Sequence, residues 1–114
     1  MPVSTRADLV RKLIRFDSPL APTLTALHEF DWDCDEPLVT LDAASIRSVL
    51  QRYVSGSFTA ADVEEWASAI ECRDDIDTSD FRDIIFELAS PDITRQLSPS
   101  VAQDLFIQIE RYAA

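Results

Sequence analysis

His28 is the single histidine of the chain, and Cys34 and Cys72 are its two cysteines. Catalysis by a Ser–His–Asp or Cys–His arrangement would have to pass through His28, because the imidazole takes the proton from the nucleophile. No Ser or Cys stands in a recognised nucleophile context, and a His beside Leu27 on a short apolar stretch reads as structural. The cysteines are separated by 37 residues and form no CxxC pair, so they read as two reduced thiols rather than a disulfide framework. With one His they cannot complete a Cys/His zinc set. Carboxylates are abundant, and glycosidase-type chemistry needs two of them flanking a cleft at a defined separation. Among 21 acidic residues the spacing singles out no such pair. The residue types therefore predict no catalytic set and no cofactor.

Asp31, Asp33 and Asp35 form a D-x-D-x-D run, with Asp42 at the twelfth position of a calcium-type loop. The sixth position, which needs Gly for its sharp turn, holds Glu36, and Pro37 follows it. A solvated acidic loop is the preferred reading, with calcium or a small ligand as the weaker alternative and no metal site predicted.

Those aspartates lie in an acidic–aromatic segment, His28-Glu29-Phe30-Asp31-Trp32-Asp33-Cys34-Asp35-Glu36. An aromatic ring flanked by carboxylates suits a basic protein surface: the ring offers apolar area and a seat for Arg, and the carboxylates pair with Lys and Arg. The competing reading docks Phe30 and Trp32 into the core and leaves the acids outward.

A second acidic stretch carries nine carboxylates from Asp62 to Asp83. Asp80 and Asp83 fit the N-terminus of a helix, where the dipole favours negative charge. Asp74, Asp75 and Asp77, in a turn between two helices, exceed what capping requires. The predicted partner-binding residues are thus Asp31, Trp32, Asp33, Asp35, Asp74, Asp75 and Asp77.

The net charge of −11 repels nucleic-acid backbones and anionic lipid and favours a cationic partner. It is unevenly spread. Residues 1–28 carry four basic and two acidic side chains, net +2. Residues 29–87 carry four basic and sixteen acidic ones, net −12. Residues 88–114 carry two basic and three acidic ones, net −1.

The elements that must position these residues are helical. The apolar fraction of 46% is that of a globular chain, and one Gly in 114 residues argues against all-β folds and excludes a Gly-rich phosphate loop. Leu9, Val10, Leu13 and Ile14 recur at helical spacing behind a Thr5 cap, up to about Asp17. A short helix fits residues 22–30. Residues 31–41 lack a helical period. Asp42 caps a helix over Ala43 to Val54, which Gly56 closes. Thr59, with Asp62 three residues on, caps a helix carrying Val63, Trp66, Ala67 and Ile70. Another runs from about Asp80 to Ala89, before Pro91. The last begins with Ser98 as N-cap and Pro99 at its first position. The expectation is an all-α fold: residues 1–114 as a single helical domain, a compact bundle of five helices plus the short one at 22–30, with one irregular acidic–aromatic loop. No signal-peptide-like or membrane-spanning apolar run is present, which points to the cytoplasm.

Three segments carry a resemblance: residues 53–67 (YVSGSFTAADVEEWA), Arg73-Asp74-Asp75-Ile76, and residues 84–91 (IIFELASP). Over about residues 40–110 the chain resembles small helical bacterial proteins, some of which are placed with colicin-type immunity proteins. That resemblance implies an acidic helical protein neutralising a basic toxin. Its helix–Gly–helix element with Trp66-Ala67 is a packing motif and assigns no functional residue. The leading expectation is accordingly a non-enzymatic interaction protein that masks a basic protein partner. The alternative is a structural or housekeeping helical domain whose charge only confers solubility.

Overall fold

The computed structural model describes residues 6–16, 20–28, 37–71, 73 and 75–113. Of the described residues 71% are helical, and they form an all-α bundle of six helices. They are α1 (Arg6–Arg15), α2 (Leu20–Leu27), α3 (Ala43–Val54), α4 (Ala60–Glu71), α5 (Arg82–Ala89) and α6 (Pro99–Ala113). A 3-10 turn, Ser79–Phe81, leads into α5. The short helix anticipated at 22–30 is real but begins two residues earlier, at Leu20. Pro22 lies in its first turn, where a missing N–H costs no helical bond.

The segments between helices are less irregular than the sequence implies. Val39–Thr40 (β1) pairs in parallel with Ile76–Asp77 (β2), Val39 opposite Ile76 and Thr40 opposite Asp77. Leu38 and Val39 both donate backbone N–H groups to the Asp75 carbonyl, and Leu41 donates to that of Asp77. The Asp-rich turn after α4 is thereby tied to the chain entering α3. Helical periodicity is blind to this two-residue pairing, because it joins segments distant in sequence.

Local signals set most helix ends. Asp42 Oδ1 accepts the Ser45 N–H at 2.9 Å and caps α3. At the other end Gly56 takes φ 92°. There the Gly56 N–H reaches the Tyr53 carbonyl and the Ser57 N–H the Arg52 carbonyl, the paired bonds of a Schellman closure. Thr59 and Asp62 form a reciprocal capping box: the Thr59 N–H donates to Asp62 at 2.9 Å, and the Asp62 N–H to the Thr59 hydroxyl at 3.1 Å. Ser98 Oγ accepts the Val101 N–H and starts α6.

The core gathers Val10, Leu13 and Ile14 of α1, Ile46, Val49 and Leu50 of α3, Val63, Trp66 and Ile70 of α4, Ile84, Ile85 and Leu88 of α5, and Leu105 and Ile109 of α6. Each set recurs at three- or four-residue spacing, so each helix turns one stripe inward. Helices α4 and α5 pack most extensively, and α1 touches α2, α3 and α4.

The C-terminus of α1 is satisfied from outside itself. The last four carbonyls of a helix have no intrahelical donor. Here Trp66 Nε1 donates to Leu13 at 2.8 Å and to Ile14 at 3.1 Å. The Arg52 guanidinium donates to the carbonyls of Arg15 and Phe16. Phe16 stands at φ 53°, a left-handed conformation unusual for a residue with a Cβ. Its ring stacks on Phe58, with centroids 4.2 Å apart, and Arg52 lies 4.7 Å from the Phe58 centroid. Two side chains from two other helices thus cap α1. Among the described residues, no helix is long and apolar enough to cross a membrane.

Candidate functional site

Of the seven residues expected to bind a partner, Asp31, Trp32, Asp33, Asp35 and Asp74 lie outside the described residues. The structure places the other two, Asp75 and Asp77, and gives them different surroundings.

Asp75 is not on the surface, which corrects its assignment as a partner contact. Its side chain is 1% exposed. Arg73 grips it side-on, Nε to Oδ1 at 2.8 Å and Nη2 to Oδ2 at 2.9 Å, and Arg6 of α1 adds Nε to Oδ2 at 2.9 Å. Burial pushes the carboxyl pKa up, but hydrogen bonds and positive charge from Arg73 and Arg6 outweigh it and hold the carboxyl below the usual carboxylate range. A buried carboxylate with two guanidiniums is satisfied in charge and in hydrogen bonds. The sequence offered Arg73 as a neighbour but gave no sign of Arg6, which is 69 residues away.

Asp77, two residues on, is half-buried, and its carboxylate turns to the start of the 3-10 turn. Oδ1 accepts the Ser79 hydroxyl at 2.6 Å and the Ser79 N–H at 3.0 Å. These bonds, the hydroxyl's first, hold its pKa below the usual range, so it remains charged at neutral pH.

Asp77 borders an open groove of about 630 Å³ between the strand pair and α5. Pro37, Ile76, Ile85 and Phe86 supply its apolar lining, and Glu71, Asp77 and Asp83 its carboxylates. Arg73 and Arg82 also border it, but Arg73 is committed to Asp75. Phe86 is 43% exposed, one of five large apolar side chains open to solvent among the described residues. The inward stripe of α5 comprises Ile84, Ile85 and Leu88, continuing Phe81 of the 3-10 turn, and Phe86 falls off it. An aromatic residue outside its helix's apolar stripe was the signal available in the sequence. Asp83 was assigned to the helix dipole, and it does lie in the first turn of α5. It borders the groove as well.

Two other depressions differ in character. One of about 360 Å³ lies where the ends of α4, α5 and α6 meet. There Arg95 bridges Glu87 and Asp104, and its own pKa is raised by the Glu87 hydrogen bond and then that of Asp104. The other, about 610 Å³, is a shallow hollow between α2 and α4 lined by Leu20, Leu24, Glu64, Glu65 and Ser68. No group of three or more His, Cys, Asp or Glu side chains that could hold a metal ion occurs among the described residues. Asp42, the twelfth position of the calcium-type pattern, spends its carboxylate on capping α3. His28 is exposed at the end of α2.

No family model, no curated protein and no solved structure matches this chain.

Proposed function

We propose that the protein is a non-catalytic interaction protein whose acidic helical surface binds and masks a basic protein partner. The resemblance over about residues 40–110 suggests a class for that partner: a bacterial toxin domain, with this chain as its immunity protein.

One observation carries the reading. Residues 29–87 set sixteen acidic side chains against four basic ones. Of those four, Arg52 is spent on the carbonyls of α1 and Arg73 on Asp75. Neither guanidinium is therefore free to pair with the surface acids of that region. Glu71, Asp80 and Asp83 are exposed and form no hydrogen bond or ion pair among the described residues. Such a field steers a cationic partner inward and speeds encounter. The reading keeps the surface acids and gives up Asp75.

The test is affinity capture from the source cells, identification of the bound protein, and association kinetics at two ionic strengths. A basic partner should be recovered, and its association should slow about tenfold or more between roughly 0.05 M and 0.3 M salt. A neutral or acidic partner, or an association rate indifferent to salt, overturns the proposal.

A further inference from the structure

The groove between the strand pair and α5 has a composition that restricts what can occupy it; this step rests on the reading that the partner is basic. Ile76 and Ile85 are covered, 4% and 1% exposed, so the Phe86 ring, with Pro37, is the apolar surface an incoming group meets. Phe86 follows Asp83 by three positions on α5, which puts ring and carboxylate on the same helix face. Glu71 and Asp77 border the groove from α4 and β2. The Arg73 guanidinium is held on Asp75, which Arg6 also pairs. That leaves Arg82 as the one lining cation without a hydrogen bond or ion pair among the described residues. The volume, about 630 Å³, is in the range of small-ligand pockets and suits a few side chains.

We propose that this groove receives a short segment of the basic partner, one apolar or aromatic side chain packing on Phe86 while flanking Arg or Lys side chains pair with Asp77, Asp83 and Glu71. Carboxylates outnumber guanidiniums three to two around this apolar anchor, so the ring supplies affinity and the predominantly acidic rim supplies orientation and selection. Charge argues against the other occupants. The chain's own residues 29–36 carry five carboxylates, and a second copy carries the same net −11. Either would bring negative charge to a negative rim.

The test is a titration of the full-length, isotopically labelled protein, followed by amide NMR. One probe is a synthetic octapeptide with two central leucines flanked by arginines; the other has serines in place of the leucines. Shifts should concentrate at Ile76, Asp77, Asp83 and Phe86, and the leucine peptide should bind more tightly than the serine one. Phe86→Ala should weaken the leucine peptide about tenfold and the serine peptide little. Asp83→Lys should weaken both. Shifts centred on Leu24 and Ser68 instead, or a leucine peptide indifferent to Phe86→Ala, overturn the groove as the docking place and leave the basic-partner reading standing. Binding of neither peptide also overturns the groove, while the salt dependence of the captured partner judges the wider reading separately.

Discussion

The junction of α1, α3 and α4 and the groove beside α5 both carry arginines and aromatic rings, yet they use them in opposite ways. At the junction Arg52 lies against Phe58 and gives its N–H groups to the carbonyls of Arg15 and Phe16 at the end of α1, while Trp66 serves those of Leu13 and Ile14. In the groove Arg82 and Phe86 face solvent, and Asp83 and Glu71 are exposed. The knot around Asp75 belongs with the junction, although it is made of acid and base: both carboxylate oxygens are taken, by Arg6 and Arg73. Polar groups that the fold has saturated hold helices together; those it has left open are available to a partner. The position of a charge in sequence does not decide which kind it is: both oxygens of Asp75 are held by guanidiniums, whereas Asp77 has Oδ1 engaged by Ser79 and meets no guanidinium in an ion pair among the described residues.

The sharpest way to break the comparison is to remove the Asp75 carboxylate. Asp75→Ala strands Arg6 and Arg73, whose side chains are 16% and 13% exposed. Removing one partner of a buried ion pair costs about 3–5 kcal/mol, and urea unfolding should show a loss of that order. Asp77→Asn should leave the unfolding midpoint close to that of the parent. Equal losses for the two would erase the distinction between them. The same pair predicts a pH effect. The Asp75 carboxyl is held below its ordinary value in the folded chain. Its contribution to stability is therefore complete above the unfolded pKa of about 3.9 and is lost as pH falls through the lower folded value. Unfolding free energy measured from neutral pH downward should fall in that acid window, and Asp75→Asn should flatten the fall.

At the α1 junction the predicted effects are smaller. Trp66→Phe keeps an apolar ring but removes the donor to Leu13 and Ile14. Leaving a buried carbonyl without its donor costs about 1–3 kcal/mol, and chemical denaturation should register about 2 kcal/mol. Arg52→Ala should cost about 1–2 kcal/mol through the lost carbonyl bonds and the contact with Phe58. Arg52→Lys should recover little of it, because an ammonium cannot fork onto two carbonyls while lying against a ring. In the groove, Arg82→Ala should leave the unfolding midpoint unchanged and tighten the basic octapeptide, since it removes the lining cation whose charge acts on Asp77. If Arg82→Ala destabilised the protein as much as Arg52→Ala, the groove would be structural too.

The helical fold was legible in the sequence where the determinant is local. Asp42, Gly56, the Thr59–Asp62 pair and Ser98 each act within a few residues, and each marks the helix end it was expected to mark. The apolar stripes of α1, α3, α4 and α5 were equally readable, being a periodicity of the chain itself. What was not readable depends on contacts between distant segments. The β1–β2 pairing spans 37 positions, Val39 to Ile76. Arg6 meets Asp75 across 69 and Arg52 meets Phe16 across 36. An Asp-rich string offers no local sign of which member an arginine from α1 will claim, so Asp75 was grouped with its neighbours as a surface acid. Phe86 was readable in principle, as an aromatic residue out of phase with its helix.

The smallest predicted effect tests the saturated side through the backbone alone. Gly56 closes α3 at φ 92°, and a Cβ built there would meet nothing within 4 Å. The space is open, so any cost of Gly56→Ala must come from holding an L-residue in a left-handed conformation, about 1 kcal/mol. Asn tolerates that region better than Ala, so Gly56→Asn should cost less, and thermal or urea unfolding should rank glycine above asparagine above alanine. The Schellman bonds from Gly56 and Ser57 terminate the helix that carries Arg52. Fraying there would loosen the grip of Arg52 on α1, and Gly56→Ala combined with Arg52→Ala should then cost less than the sum of the two. Gly56 lines none of the groove, so peptide binding should be the same in all three proteins. A Gly56→Ala variant that folded normally yet lost the octapeptide would show that the two regions are coupled, and that the saturated end of the molecule helps to shape the open one.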